Sequence, residues 1–223
     1  WAPGYIHAWD FVDNFARKSS VLYRPVTATP GWGFARALAA YYPESDGSLT
    51  LFPTGTLRIG SRGLFAETSA INLVLQSQTQ TNAAWVASNT TVAMDATGPN
   101  NVDNSAATFT ATGANATVKQ TFTIASAAKT FSLYMRRVTG SGNIDMTLDD
   151  GVGWTTKTLT TLWQRFSITQ TLANPVIGVR VVASGDVIQV FGAQMEANAY
   201  ATSYIPTTTV SVTRPGDQAT VTL

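Results

Sequence analysis

The sequence contains no cysteine and a single histidine, His7, among its 223 residues. The absence of cysteine excludes disulfides, thiol catalysis and cysteine-based zinc sites, although it does not fix the redox compartment. A Ser-His-Asp hydrolase would have to depend on His7 alone. We therefore expect no nucleophilic hydrolase of that kind.

Charge is also scarce, since Asp, Glu, Lys and Arg together make up 12% of the chain, about half the usual share. The 14 basic residues nearly balance the 13 acidic ones. Binding to phosphates requires a clustered basic surface, so we expect no nucleic-acid partner. The apolar runs are far shorter than the roughly 20 residues of a spanning helix, so we expect no membrane insertion.

Residues 1–70 combine a high aromatic content with frequent turn sequences. Ten aromatic residues fall between Trp1 and Tyr42, interrupted by turn-rich stretches such as "RPVTATPGWG" and "YYPESDGSLTLFPTG". One short helix is predicted from about Asp10 to Lys18, because an acidic residue lies near its start and basic residues lie near its end, as a helix dipole favours. The stretch has few means of forming its own core, so we expect residues 1–70 to be an extended segment that docks on a neighbouring chain.

From residue 71 onwards the pattern changes to an alternation with a period of two residues. In "TFSLYMRRV" the apolar Phe131, Leu133 and Met135 alternate with more polar residues, and "NIDMTLDDG" and "WQRFSIT" repeat the pattern. Such alternation is typical of strands with one buried face. "VIGVRVVASGD" and "VIQVFGAQME" are more continuously apolar, which predicts inner strands. Eight or more short strands without a long helical pattern predict an all-β fold, a two-sheet antiparallel β-sandwich.

These patterns divide the chain into three regions. We predict a docking and oligomerisation segment at 1–70, a β-sandwich at 71–205 and a C-terminal strand or linker at 206–223. Since the first residue is Trp1 rather than Met, we expect the sequence to be part of a longer polypeptide.

Several short motifs follow one another along the chain in a characteristic order. They are Arg36-x3-Ala40-x-Tyr42, the "DG" at 46–47, "GL-x2-E" at 63–67, "NL-x2-QS" at 72–77, "NAAW" at 82–85, "GAQME" at 192–196, "TSYIPT" at 202–207 and "TR-x2-D" at 213–217. This set resembles a module of bacteriophage head-spike, head-fibre and tail-fibre proteins. The closing group, from Gly192 to Asp217, is the most specific part of the resemblance.

The resemblance implies a jelly roll similar to carbohydrate-binding modules, displayed on the virion surface. It also implies a homo-oligomer, and analogy with fibres favours a trimer. Other virion proteins, contacted through residues 1–70, and a host surface polysaccharide are the implied partners. In similar proteins a further β domain follows the last motif, so Leu223 is expected to be an internal position. A structural calcium ion is the one cofactor that the resemblance brings into consideration.

A sugar site needs a flat aromatic ring and planar hydrogen-bonding side chains around it. The outward positions of the predicted strands and one loop supply such side chains, and adjacent strands would join them into one polar stripe. The candidates are Trp154, Tyr134, Arg136, Asp145, Arg165, Arg180 and Gln189. An ordinary solvated sheet face is the alternative. Trp85 and Trp163 are predicted to lie in the core or at its rim.

Carboxylates are the remaining candidates for chemistry. Glu196, near the end of a predicted central strand, could accept backbone N–H bonds or bind a cation, and Asp149 is the other candidate metal ligand. Asp149 and Asp150 precede Gly151, which favours a hairpin turn over an acid pair for glycoside cleavage. We therefore expect no catalytic residue.

The sequence favours a non-enzymatic phage virion structural protein, a head or tail fibre or spike component that displays a carbohydrate-binding-like domain for host attachment. A purely architectural capsid decoration or tail assembly protein is the second hypothesis. A polysaccharide depolymerase is the third.

Overall fold

The computed structural model describes residues 8–10, 15–18, 21–25 and 32–221. Every regular element in this described part is a β-strand. The strands are β1 (Ala8–Asp10), β2 (Phe15–Lys18), β3 (Val21–Pro25), β4 (Trp32–Ala35), β5 (Ala40–Pro43), β6 (Leu49–Phe52), β7 (Arg58–Gly60), β8 (Gly63–Phe65), β9 (Ala70–Asn72), β10 (Val86–Ser88), β11 (Thr90–Ala96), β12 (Ala106–Ala111), β13 (Ala116–Thr121), β14 (Ala127–Thr139), β15 (Ile144–Thr147), β16 (Thr155–Lys157), β17 (Gln164–Leu172), β18 (Val176–Val181), β19 (Val187–Glu196), β20 (Val212–Arg214) and β21 (Gln218–Val221).

The chain forms two compact units. The first comprises Trp1–Ser45, Leu49–Ala70 and Arg214–Leu223, and the second comprises Asp46–Ser48 and Ile71–Thr213. The division differs from the sequence-based one in its last part, because residues 206–213 belong to the second unit and the residues from Arg214 onwards to the first.

The second unit is an antiparallel β-sandwich of two five-stranded sheets. The sheet that we call the front sheet has the order β10-β13-β18-β15-β16, and the back sheet has the order β11-β12-β19-β14-β17. The predicted inner strands are confirmed, since β18 and β19 each occupy the centre of a sheet. The fold is therefore the all-β, two-sheet antiparallel sandwich that the alternating pattern predicts.

The core lies between the two sheets and is formed by the apolar positions of the alternation. Phe131, Leu133 and Met135 of β14 face Ile144 and Met146 of β15 in one cluster, and each is at most 3% exposed. Trp85 belongs to the same cluster, and the partly buried Phe166 and Ile168 pack against it. Burial of this apolar surface, at about 25 cal/mol per Å², is the main stabilising contribution to the sandwich.

The first unit has apolar packing of its own, which corrects part of the expectation for residues 1–70. β5 pairs with β6 and β7 with β8, and the fully buried Tyr42 packs on Phe52 and Phe65 with ring centroids 6.0 and 5.6 Å apart. The Tyr42 hydroxyl accepts from the N–H of Arg62 and donates to the carbonyl of Gly63. Docking of this segment on a neighbouring chain remains a prediction.

The helix predicted from Asp10 to Lys18 is wrong. Ala8–Asp10 and Phe15–Lys18 are strands that pair with each other in an antiparallel ladder. Residues 11–14 lie outside the described part of the chain. Pairing between neighbouring strands therefore overrides the weak helical preference of the terminal charges.

Candidate functional site

The seven predicted sugar-contacting residues do not form one stripe. Asp145 and Arg180 lie on the front sheet and Trp154 precedes its edge strand β16, whereas the other four belong to β14, β17 and β19 of the back sheet. The outer faces of a sandwich point in opposite directions. The predicted stripe is therefore wrong as a single surface, because sequence alternation fixes the face of a strand but not its sheet.

On the front sheet, directly opposed residues form a continuous polar row. Thr117 of β13 pairs with Arg180 of β18, Arg180 with Asp145 of β15, and Asp145 with Thr156 of β16. Arg180 donates from Nε and Nη2 to Oδ2 of Asp145 at 2.9 and 2.6 Å. Thr156 donates to Oδ1 of Asp145 at 2.7 Å. Asp145 is 2% exposed, so its role is to hold Arg180 in place rather than to contact a ligand.

Trp154 lies beside this row and is half-buried. The Arg180 guanidinium carbon is 4.3 Å from the centroid of the indole ring, within the range of a cation–π interaction. Lys119 Nζ is 5.6 Å from the same centroid and forms an ion pair with Asp150 at 2.9 Å. The ring is thus held between basic groups and keeps part of its surface open to solvent.

The loop that carries Trp154 is the hairpin between β15 and β16, as "DDGVG" predicts. Asp150 and Gly151 adopt positive φ angles of 62° and 90°, and a Cβ on Gly151 would lie 2.6 Å from the Trp154 ring. Asp149 accepts hydrogen bonds from Thr147, the Gly153 N–H and Gln170. Burial alone would raise the pKa of Asp149, but these hydrogen bonds outweigh it and lower the pKa below its ordinary value.

Two of the back-sheet candidates, the buried Tyr134 and the half-buried Arg165, do not form a surface site. Tyr134 is 2% exposed and packs edge-on against Phe191, with centroids 6.2 Å apart. The Arg165 guanidinium lies over the Tyr134 ring at 5.5 Å and donates to the Thr202 carbonyl and the Ser132 hydroxyl. The prediction that Tyr134 lies on a solvated face is wrong, and Arg165 is only partly exposed, because the segment from Thr202 to Thr207 covers this end of the sheet.

The covering segment is held by the closing motifs of the sequence. Tyr204 is fully buried against Phe191 at 5.2 Å, and Gly192 leaves room for its ring, which lies 3.1 Å from the position of a Cβ on that glycine. Gln194 donates to the Ser203 carbonyl and accepts from the Ile205 N–H. Gly192 thus allows the Tyr204 ring to approach the strand closely, whereas Tyr200, in the same stretch of chain, is 59% exposed.

Glu196 belongs to the same buried network. Its carboxylate accepts hydrogen bonds from the N–H and hydroxyl of Thr202 at 2.8 and 2.6 Å and from the Gln194 amide at 2.8 Å. Calcium needs six to eight oxygen ligands, but the neighbours of Glu196 and of Asp149 present donors to these carboxylates. Neither residue fits a calcium site, and Glu196 accepts backbone N–H bonds as its first interpretation predicted.

The remaining two candidates, Arg136 and Gln189, meet at the open end of the back sheet. They are direct partners on β14 and β19, and Arg136 Nε donates to Gln189 Oε1 at 2.6 Å. The Arg136 guanidinium lies 4.7 Å from the Trp163 ring centroid. Trp163 is half-buried, at the rim as the sequence predicts.

The first unit contains a buried ionic cluster that we did not predict. Asp217 pairs with Arg36 at 3.0 Å and with Arg58, and Glu67 pairs with Arg58 at 3.0 Å and with Arg214 at 3.3 Å. Burial would raise the pKa of Asp217, but hydrogen bonds from Arg58, the Glu67 N–H and Arg36 hold it below its ordinary value. Arg36, Glu67, Arg214 and Asp217 belong to the motifs described above, which was the one sequence signal available for them, whereas Arg58 lies outside those motifs.

Lys119 and Asp150 were also missed as neighbours of Trp154. Gly178, directly opposite Lys119, is the reason for their contact, because a Cβ there would lie 2.7 Å from Lys119 Cγ. The lysine can therefore cross the strand to reach the hairpin. A glycine inside a β-strand is the signal that marks such a close approach.

Within the described residues, no three or more His, Cys, Asp or Glu side chains come together in a way that could hold a metal ion. The same part of the chain has no helix with the length and apolar character needed to cross a membrane.

No protein-family model matches the sequence, and a search of curated proteins finds no match. Among solved structures, the chain is similar to the enzymatically active domain of tailspike protein 4 of bacteriophage CBA120, with a TM-score of 0.41 and 12% identity over 56% of this chain and 21% of that one. It is similar to a family 29 carbohydrate-binding module, with a TM-score of 0.41 and 8% identity over 60% of this chain and 90% of that one.

A third similar structure comprises the CBM22-1 and GH10 modules of Clostridium thermocellum xylanase 10B in complex with xylohexaose. Its TM-score is 0.42, with 8% identity over 63% of this chain and 30% of that one.

Proposed function

We propose that this chain is a non-enzymatic structural component of a phage virion whose sandwich binds a saccharide on the outer face of the front sheet. The observation that carries the binding proposal is the half-buried Trp154 ring, which lies beside the polar row with the Arg180 guanidinium 4.3 Å from its centroid. An aromatic surface beside guanidinium, ammonium and hydroxyl donors is the combination that a sugar ring requires.

The fixed geometry of the row supports this proposal. Asp145 takes up Nε and Nη2 of Arg180, while Nη1 forms no hydrogen bond with any described residue. The Arg180 side chain is 25% exposed and that of Lys119 is 24% exposed. Donors that are already held in place lose little conformational entropy when a ligand binds.

The surroundings of the acidic side chains support a non-enzymatic role. Asp145 and Asp186 form ion pairs with Arg180 and Arg137, and Asp149 accepts hydrogen bonds from Thr147 and Gly153 of its own hairpin and from Gln170. A glycosidase needs two carboxyl groups that face the same glycosidic bond. The virion location, attachment to a host surface and the homo-oligomeric state rest on the motif resemblance and remain part of the proposal.

A glycan array with the full chain and the Trp154→Ala variant tests the proposal. We expect the variant to bind at least about tenfold more weakly, equivalent to about 1.4 kcal/mol. Val152→Ala is the matched control, since Val152 lies in the same hairpin and is 92% exposed, and it should bind like the wild type.

Absence of binding by the wild type would contradict the proposal and favour the architectural hypothesis. Loss of viscosity when the chain is incubated with capsular polysaccharide would instead favour a depolymerase. Oligomeric state is measured separately by light scattering.

A further inference from the structure

The outer face of the back sheet has an open end, where a second polar row crosses four strands. Thr108 of β12 pairs directly with Gln189 of β19, and Gln189 pairs directly with Arg136 of β14. Asp95 extends the row on β11, at a register shift between Met94 and Ala96. A bulge of this kind re-aims a side chain, and here it brings the Asp95 carboxylate to Thr108.

The row is joined by hydrogen bonds from end to end. Thr108 donates to Asp95 at 2.5 Å, the Gln189 amide nitrogen lies 3.5 Å from the Thr108 hydroxyl, and Arg136 donates to Gln189 at 2.6 Å. The Trp163 ring lies beneath the Arg136 guanidinium at 4.7 Å. Trp163 and Gln189 together fix the guanidinium, which makes both of them positioning residues.

These contacts leave the hydrogen-bonding groups at the two ends of the row available. Nη1 and Nη2 of Arg136 and Oδ2 of Asp95 form no hydrogen bond with any residue in the described ranges. Asp95 is exposed, and Arg136, Gln189 and Thr108 are each partly exposed. The surface therefore offers fixed donors at one end and a fixed acceptor at the other.

We propose that this row is a second saccharide-binding surface, which takes a neutral oligosaccharide. Neighbouring strands lie about 4.8 Å apart, so the row spans about 14 Å from β11 to β14, which suits several sugar rings rather than one. One acid and one base balance in charge, which favours neutral sugars. The proposal shares the ligand class of the proposed function but rests on different residues, on the opposite face of the sandwich.

An array of neutral hexasaccharides with gluco, manno, galacto and xylo backbones tests the second surface, using the full chain. Four proteins are compared: the wild type, Trp154→Ala, Arg136→Ala combined with Asp95→Asn, and the triple variant. Calorimetry on the strongest array ligand gives the stoichiometry. Arg62→Ala combined with Asp103→Asn is the charge-matched control, since both residues are exposed.

We expect Trp154→Ala to retain residual binding. The triple variant should bind at least tenfold more weakly than Trp154→Ala, and the control should bind like the wild type. Calorimetry should give two sites in the wild type and one in each of the two partial variants. Circular dichroism and melting temperature establish that each variant is folded.

The outcomes separate the two proposals. Complete loss of binding in Trp154→Ala alone overturns the second surface and leaves the proposed function standing. Loss only in the Arg136 and Asp95 variant overturns the Trp154 site and supports the second surface. Absence of binding by the wild type, or binding that none of the variants changes, overturns both.

Discussion

The outer face of the back sheet has two ends that are built from the same strands and similar residue types. At the covered end, Tyr134, Gln194 and Glu196 are at most 2% exposed, and Gln194 and Glu196 form hydrogen bonds with the segment from 202 to 207. At the open end, Arg136 and Gln189 are partly exposed and bond mainly to each other.

The comparison of the two ends shows that the position of a polar residue on the outer face of a sheet does not decide its role. What decides it is whether another segment crosses the face at that point. Under the covering segment a polar group loses contact with water, and an unpaired buried group costs about 1–3 kcal/mol, which explains why Gln194 and Glu196 bond to protein groups there. The same group at the open end can remain available for a ligand.

The largest expected effect comes from Tyr204→Ala at the covered end. The ring is fully buried against Phe191 and Gly192, and its hydroxyl lies 2.6 Å from that of Ser77. Removal of a buried aromatic ring should lower the free energy of unfolding by about 3–5 kcal/mol, measured by urea denaturation.

Tyr200→Ala is the matched control, because Tyr200 is 59% exposed in the same stretch of chain. It should change the free energy of unfolding by no more than about 0.5 kcal/mol. Equal effects of the two substitutions would contradict the buried position of Tyr204.

The ionic cluster of the first unit extends the comparison to charged groups. Asp217→Asn leaves Arg36 and Arg58 without one of their counter-charges in a buried setting. Breaking a buried pair in this way costs about 3–5 kcal/mol. Hydrogen exchange of the Glu67 amide, which donates to Asp217 at 2.9 Å, should report a local loss of protection.

The lowered pKa of Asp217 gives this effect a direction in pH. A carboxyl group whose folded pKa lies below its unfolded value of about 3.9 stabilises the fold fully above about pH 5. That stabilisation is lost as the pH falls through the folded pKa. The difference between wild type and Asp217→Asn should therefore shrink below pH 4, and a constant difference down to pH 2 would contradict the argument.

The sequence was sufficient to predict the strands and their core faces, because alternation at Phe131, Leu133 and Met135 directly reflects burial. It was not sufficient to separate Asp145 and Arg180 from Arg136 and Gln189, since sheet membership depends on long-range pairing. Burial of Tyr134 depends on a segment about 70 residues away in sequence. The approach of Asp95 to Thr108 depends on a bulge that no local pattern marks.

The smallest predicted effect gives the sharpest version of the comparison, because β19 carries a glutamine at each end. Gln194→Ala removes the acceptor of the buried Ile205 N–H and one of the two donors to Oε2 of Glu196, so the free energy of unfolding should fall by about 1–3 kcal/mol. Gln189→Ala removes contacts only among partly exposed groups and should change it by no more than about 0.5 kcal/mol. Both variants are measured by urea denaturation in the same buffer. A decrease in the free energy of unfolding for Gln189→Ala as large as that for Gln194→Ala would mean that the open row stabilises the sandwich as the buried network does. The distinction between a structural network and a binding surface would then fail on this strand.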